Sequence, residues 1–369
     1  MVTPRYAPYV GGIETHVYEV GRRLVQLGNT ITILTTVPHT TLSPLAREEE
    51  NQGMRIIRVP AWPKKRDYYF APEMRSIIKQ VKPDLIHCQG CHTFVPPLAM
   101  LAAKETHIPY VLTFHTGGHS SNARNRIRSL QWNMMRPLLA GAATLVGVSH
   151  FEADYFRTLL HLPAEKFVVI SNGSTLPTLP PEHVIPPVQG TLIASVGRLE
   201  RYKGHQRLIT ALPKIREWRP DARLLIVGAG PYESVLRDLA HNIGVSEFVE
   251  IRSIPSSDRL AMAELLSQSS LVALLSDYEA HPLAVMEALS LHRPVLVAET
   301  SGLKELADQG LARAISLQSS PEEVALGVRL QIEEPVLPPA SFLLPTWENC
   351  SAQLQEVYRA SVRSKQCVS

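Results

Sequence analysis

Short apolar runs rich in β-branched residues recur along the chain, with amphipathic segments between them. In the first half they fall at 30–36, 55–59, 84–88, 110–114, 144–148 and 167–171, and in the second at 192–196, 222–227, 248–251, 271–275, 294–298 and 313–316. Each is nearly continuous rather than alternating, as in strands covered on both faces. Strands of this kind alternating with helices predict a mostly parallel, doubly wound sheet in each half. Between the two series, Ser174–Gln189 holds five prolines and no hydrophobic period, which marks a linker. The predicted division is 1–173, linker 174–189, 190–346, and a last helix within 347–369. Two such domains would face a central cleft lined by the carboxyl ends of their strands.

Several helices carry readings of their own. Ile13–Leu27 is apolar at 13, 17, 20, 24 and 27, a clean helical stripe preceded by Gly11 and Gly12. That start is open to close approach by a phosphate, or is only a tight turn. Ser149-His-Phe-Glu152 reads as a capping box with a structural role. Arg124–Leu139 is apolar at 127, 130, 134 and 138, with Arg124, Arg126, Arg128 and Arg136 around the stripe. It is either a cleft-side helix with solvated arginines or a contact with an anionic membrane surface. Only Met1-Val2-Thr3 stand ahead of the first loop, so a first strand is expected to be stunted or to start upstream.

The chemistry gathers around Ser276-Asp-Tyr-Glu279-Ala-His-Pro282-Leu-Ala-Val-Met-Glu287. Pro282 reads as the first residue of a helix. Glycosidase carboxyl pairs lie ~5 Å or ~6.5 to 9.5 Å apart, whereas eight helical residues span ~12 Å. The pair therefore suits two ends of an elongated ligand better than one bond, unless both carboxylates are merely solvated. The helix N-terminus between them favours phosphate, and carboxylates accept from hydroxyls, which together describe a nucleotide sugar. The strand 192–196 runs into Gly197-Arg198-Leu-Glu-Arg-Tyr-Lys203-Gly204. Arg198 and Lys203 thus stand at the carboxyl end of a central strand, where two cations suit a diphosphate; the alternative is a solvated basic loop.

Composition narrows the setting. The 369 residues, 45% hydrophobic and 19% charged, describe a globular chain too long for one core. No apolar run reaches the ~18 residues of a membrane span, and no secretory signal pattern opens the chain. Four scattered cysteines, Cys88, Cys91, Cys350 and Cys367, fit a reducing cytoplasm better than a disulfide framework. Residues 1–175 carry 19 Lys and Arg against 12 Asp and Glu, the remainder 18 against 22. That asymmetry suggests an anionic partner for the first half, or no more than a soluble surface; no nucleic-acid partner is expected. Cys88-Gln-Gly-Cys91-His92 matches a haem-attachment pattern, but haem attachment would need export. It reads instead as a strand end whose His92 and Thr93 could meet an acceptor, with Arg124 and Arg128 on the same side. Gly228-Ala-Gly230 lacks the third glycine of a dinucleotide fingerprint and reads as pocket lining.

Taken together these residues resemble glycosyltransferase family 4. The resemblance rests on Gly-Gly-Ile-Glu at 11–14, Phe-His at 114–115, Val-Ser at 148–149 and Ser-Asn-Gly at 171–173. It continues through Gly-Arg-(x)4-Lys-Gly at 197–204, Val-Gly-x-Gly-Pro at 227–231 and Glu-(x)7-Glu at 279–287. It implies the GT-B arrangement of two Rossmann-like domains, with the C-terminal helix crossing back to the first. It also implies a retaining hexosyltransferase acting from a nucleotide diphosphate sugar on an acceptor hydroxyl. An epimerase or hydrolase of the same fold, or a non-catalytic binding scaffold, stays as the alternative. By the same resemblance Gly11 and Gly12 approach the donor phosphates, and Arg198 and Lys203 grip the diphosphate. Gly228 and Gly230 line the nucleotide pocket, Glu287 holds the ribose, and Glu279 with Ala280, His281 and Leu283 holds the sugar. His115 bonds the sugar near the reacting carbon. No Asp-x-Asp cluster is present, so no metal and no cofactor are expected. Pro282 stands where the family often has glycine, and Ser174 where an acidic residue is common.

Overall fold

The computed structural model describes residues 1–9, 11–37, 45–63, 70–91, 93–116, 122–177, 179, 190–255 and 257–366, with only the backbone described for 122–130 and 365–366. It forms two compact units. Met1–Thr116, Ala123–Gly173 and Pro345–Ser369 make the first, and Gly117–Asn122 with Ser174–Leu344 the second.

The first unit runs α1 (Gly12–Gln26), β1 (Ile31–Thr36), β2 (Glu48–Asn51), β3 (Met54–Val59), α2 (Glu73–Val81), β4 (Ile86–Gln89), α3 (Val95–Glu105), β5 (Tyr110–Thr113), α4 (Asn122–Ala140), β6 (Thr144–Gly147), α5 (His150–Leu160) and β7 (Phe167–Val169). The strands lie in the orders β1-β3-β2 and β4-β5-β6-β7. Val2 bridges Leu34 on one side and Cys88 on the other, so a single paired residue stands where a full strand would join the two groups. The unpredicted strand is β2, which pairs antiparallel to β3. Three glutamates in a row are poor strand formers, and pairing with β3 overrides them. Arg55 reaches Glu48 at 2.8 Å and Arg58 reaches Glu49 at 2.7 Å.

Burial of α4 differs from the predicted stripe. Trp132, Met135 and Leu139 are buried, while Met134 is 74% exposed. The inward face is set by the rings of Phe114 and Phe156, stacked 3.8 Å apart with Trp132 edge-on. Arg136 donates from Nε to the carbonyl of Leu160 at 2.7 Å, tying α4 to the end of α5.

The second unit continues with β8 (Leu192–Val196), α6 (His205–Trp218), β9 (Arg223–Val227), α7 (Glu233–Asn242), β10 (Val249–Arg252), α8 (Arg259–Gln268), β11 (Leu271–Leu274), α9 (Leu283–Ser290), β12 (Val295–Ala298), α10 (Ser301–Asp308), β13 (Arg313–Ile315) and α11 (Pro321–Glu333). Its sheet is parallel in the order β10-β9-β8-β11-β12-β13. The chain winds one way from β8 and the other way from β11. Between these two strands lies the switch point, where open α/β sheets bind ligands.

The last helix, α12 (Trp347–Gln366), belongs to the first unit. Its apolar positions 347, 350, 354, 357 and 358 follow helical spacing. Trp347, Cys350 and Leu354 are buried with Val17, Val20 and Leu24 of α1. Burying Leu354 fully contributes about 2 kcal/mol. Arg23 adds an ion pair to Glu348 at 2.7 Å.

Candidate functional site

In the second unit, the loops after β8 and β11 are tied into one body. Lys203 Nζ donates to Glu279 Oε1 at 2.6 Å, with side chains only 15% and 11% exposed. Ser276 donates to the same oxygen at 2.8 Å. The N–H of Glu279 donates to Ser301 Oγ at 2.8 Å, and Ser301 holds a left-handed φ of +47°, costly for a non-glycine. Arg207 reaches the carbonyl of Leu275 at 2.7 Å and Asp277 Oδ1 at 2.8 Å. The hinge between the loops is Gly204, at φ +75°, where a Cβ would lie 1.9 Å from the Leu275 carbonyl oxygen. No other residue fits there.

Arg198 projects from this body, 71% exposed, with one loose pairing to Glu200 at 3.3 Å. Its backbone is fixed from below. His205 Nε2 donates to the Arg198 carbonyl at 3.3 Å, and its Nδ1 lies 2.9 Å from Ser195 Oγ. Burial lowers the pKa of His205 to about 4, so the ring is neutral and serves as a strut. Gly228 and Gly230 pack against the same turn, since their Cβ atoms would lie 1.9 Å from the Gly197 oxygen and 2.4 Å from the Leu199 oxygen. Read from sequence as pocket lining, these glycines are what lets the turn carrying Arg198 seat on the sheet.

Glu287 is buried on α9, where Oε1 accepts from Ser174 at 2.6 Å and from Arg259. Ser174 is thus the partner of Glu287 where an acidic residue would repel it. Pro282 is the N-cap of α9 rather than its first helical residue, and the helix starts at Leu283. The ring cannot supply an N–H, so the Pro282 carbonyl instead accepts from Val285 at 3.0 Å and Met286 at 3.1 Å. Ala280 is buried, while His281 and Leu283 are half-buried.

The first unit carries a second group of residues, near the start of α1 and past the end of β5. α1 starts at Gly12 after an extended Gly11, and a Cβ at Gly12 would meet nothing within 4 Å. His115, two residues past the end of β5, has a left-handed φ of +48° and lies 2.8 Å through Nε2 from Gln89 Oε1. Its ring packs edge-on to that of His16, centroids 4.5 Å apart. His16 is fully buried, lies 2.8 Å through Nδ1 from Asn172 Oδ1, and has its pKa lowered to about 4 by burial.

Ser149 caps α5 by accepting from the N–H of Glu152, as predicted, but Glu152 does not return the bond to Ser149. Its buried carboxyl accepts instead from the N–H of Val148 at 2.9 Å and from the N–H of Thr116 at 2.7 Å, with the Thr116 hydroxyl also bonded. Burial raises its pKa. Glu152 therefore pins the residue after His115 instead of closing a capping box.

Thr93 is buried and accepts from the N–H of Val95, at the start of α3. His92 lies outside the described residues, as do the side chains of Arg124 and Arg128. Cys88 and Cys91 are buried, their thiols pushed up by burial, Cys88 to about 12. Among the described residues no cluster of three His, Cys, Asp or Glu could hold a metal ion, and no helix is long and apolar enough to cross a membrane. Sequence reasoning missed Ser276, Ser301, Arg259, His205, Gln89 and His16. No motif marks them: Ser301, Arg259, Gln89 and His16 act through partners 22 or more residues away, and Ser276 and His205 through nearer ones at spacings that no pattern singles out.

Residues 10–176 match the family described as Glycosyltransferase Family 4, and residues 182–341 the family described as Glycosyl transferases group 1. An uncharacterised glycosyltransferase of Methanocaldococcus jannaschii is 28% identical over 364 residues, covering 89% of this chain and 87% of that protein. Sucrose-phosphate synthase from Thermosynechococcus elongatus superposes with a TM-score of 0.76 at 19% identity over 98% of both chains. HepE of Anabaena, solved with UDP and glucose, gives 0.69 at 16% identity over 98% of this chain and 96% of its own.

Proposed function

This chain belongs to glycosyltransferase family 4 and is an enzyme of glycosyl transfer from a nucleotide sugar; on that footing we propose that it moves a hexose-type sugar to an acceptor hydroxyl with retention of configuration and without a metal. The observation that carries the reading is the grouping of exposed Arg198, the Lys203–Glu279 pair and buried Glu287 around the β8/β11 switch point.

Arg198 and Lys203 stabilise the charge that develops on the departing diphosphate. Gly12 leaves room for phosphate at the start of α1. Glu287, held by Ser174 and Arg259, accepts from the ribose hydroxyls. Glu279, with the backbone that Ser301 anchors, accepts from the donor sugar, and His115 bonds that sugar near the reacting carbon. The acceptor hydroxyl attacks on the face from which the diphosphate leaves, and a diphosphate oxygen takes its proton. No protein nucleophile is required. The protein works in the cytoplasm, with peripheral contact at the inner membrane face where the acceptor is lipid-linked; a glycan or small-molecule acceptor needs no such contact.

The UDP and glucose bound by HepE make UDP-glucose the first donor to try. A panel of nucleotide sugars should raise the melting temperature for one donor selectively, because ligand bound only by the folded state stabilises it. No shift with any nucleotide sugar sinks the donor site. Proton NMR of the first-formed product then reads the anomer, and an inverted product overturns the retaining mechanism. Donor hydrolysis without acceptor would favour a hydrolase of the same fold.

A further inference from the structure

The protein treats the two oxygens of Glu287 differently. Oε1 accepts from the Ser174 hydroxyl at 2.6 Å and from Nη2 of Arg259, whereas Oε2 accepts from none of the described residues. Arg259 is equally lopsided, since its Nε is buried and has no hydrogen-bond partner among the described residues. Nε and Nη2 are the two teeth on one edge of the guanidinium fork, an edge that can meet both oxygens of a carboxylate at once. Here one tooth binds and the other does not.

Ser174 is what holds this pair open. The N–H of Leu176 donates to Ser174 Oγ at 3.1 Å, so the hydroxyl hydrogen is left to point at Glu287. Arg259 has its origin fixed as the first residue of α8, where the Asp258 side chain accepts from the N–H of Ala261 at 3.0 Å. Glu287 has its origin fixed on α9, whose Val285 and Leu289 share one core with Met262 and Leu266 of α8 and with Leu176. With both backbones held, the remaining freedom is rotation of the carboxyl group about its last bond, a broad torsion that turns at little cost. That turn can bring Oε2 to Nε and satisfy a buried donor whose isolation is costly. The bond from Ser174 to Oε1 opposes it.

We propose that Ser174 is a positioning residue of the donor site, holding Oε1 of Glu287 so that Arg259 cannot close over both oxygens and Oε2 is kept for a ribose hydroxyl of the nucleotide. The inference rests on the reading of Glu287 as the ribose contact. It gives a task to a residue that stands where an acidic side chain is common, and a carboxylate there could not perform it, having no hydrogen to give. The competition is between an internal ion pair and a ligand. A bidentate Arg259–Glu287 pair is the stronger pair and the poorer ribose site.

Titration calorimetry with ADP, GDP, CDP and UDP, each set against its 2′,3′-dideoxy form, reads the hydroxyl contact whatever the base. The nucleotide that the wild type binds best should lose roughly tenfold to a hundredfold in affinity without its ribose hydroxyls, the scale of a hydrogen bond to a charged group. Ser174→Ala should bring that ratio to within about threefold of one, the contact being lost to both forms alike. The melting temperature of the unliganded variant should be unchanged or raised, because Arg259 then closes over both oxygens. Ser174→Thr keeps the hydroxyl and should keep the ratio. A Ser174→Ala ratio equal to that of the wild type overturns the proposal and leaves the ribose reading standing. Equal weakening of both forms of the nucleotide together with a lower melting temperature would make Ser174 merely structural, and ends the proposal too. A wild type that binds no ribonucleoside diphosphate, or binds both forms alike, overturns the reading of Glu287 itself.

Discussion

Lys203 and Glu279, 76 residues apart in sequence, are joined by a 2.6 Å bond at the carboxyl ends of β8 and β11. Two side chains that the sequence assigns to different parts of a ligand are thus each other's partner before any ligand arrives. The ammonium has three hydrogens and the carboxylate a second oxygen, so the pair can hold a donor without separating. The pairing also means that neither residue can be changed alone without consequence for the fold.

Lys203→Met should therefore destabilise the protein by about 3 kcal/mol, the low end of the cost of leaving a buried charge unpaired. Lys203→Met combined with Glu279→Met should recover most of that loss while remaining inactive. Urea unfolding of these two variants and of Glu279→Met alone checks this; if the double variant loses the sum of the two single losses, the coupling is absent.

Glu287→Ala should weaken donor affinity by ~1.5 to 3 kcal/mol, the worth of hydrogen bonds to a charged group, with a smaller change in turnover at saturation. Glu279→Ala should lower turnover more than affinity, since its contact lies at the sugar end. Titration calorimetry with the donor, set beside steady-state rates, separates the two, and small equal effects would return both carboxylates to a merely structural role.

Two glycines should fail in opposite ways. Gly12→Ala meets open space and should leave the melting temperature unchanged or slightly raised, yet it should reduce donor affinity if phosphate approaches that backbone. Gly228→Ala drives a Cβ into the Gly197 carbonyl and should cost about 2 kcal/mol or more of stability through overpacking. Thermal melts with and without nucleotide read both, and a Gly12→Ala protein with unaltered affinity would remove α1 from the donor site.

Stability should fall on mild acidification through His205. Its folded pKa, about 4, lies below the ordinary histidine value of 6.5 because burial disfavours the charged ring. Between those values the unfolded chain binds the proton and the folded chain does not, so stability is full above pH ~6.5 and lost as pH falls towards 4. The loss amounts to about 3 kcal/mol at most. His16 acts in the same window and direction, whereas Glu152, its pKa raised, works oppositely. Urea midpoints at a series of pH values should show a shallower slope for His205→Gln than for the wild type, and an unchanged slope would mean that the ring titrates freely in the fold.

Exhaustive chelation should leave the rate of transfer unchanged, since Arg198 and Lys203 supply the positive charge at the diphosphate. A rate lost to chelator and regained with Mg²⁺ or Mn²⁺ would show that these two cations are insufficient.

What the sequence by itself determined was everything that rests on local periodicity and local chemistry. The continuous β-branched runs, the helical stripe of α1, the spacing in α12 and the cations after β8 are near-neighbour features, set by backbone sterics and side-chain solvation. The misreadings lie where a partner remote in the chain outweighs a local preference. Glu48–Glu50 form a strand because β3 pairs with them, Met134 faces solvent because Phe114 and Phe156 select another face of α4, and Glu152 bonds Thr116 rather than its own N-cap. Tertiary structure alone decided that Lys203 binds Glu279, that Arg259 and Ser174 hold Glu287, and that Tyr358 reaches His87 across 271 residues. The reason is physical. A hydrogen bond or ion pair is fixed by distances of a few ångströms and by exclusion of water, and a linear pattern of residue types carries neither.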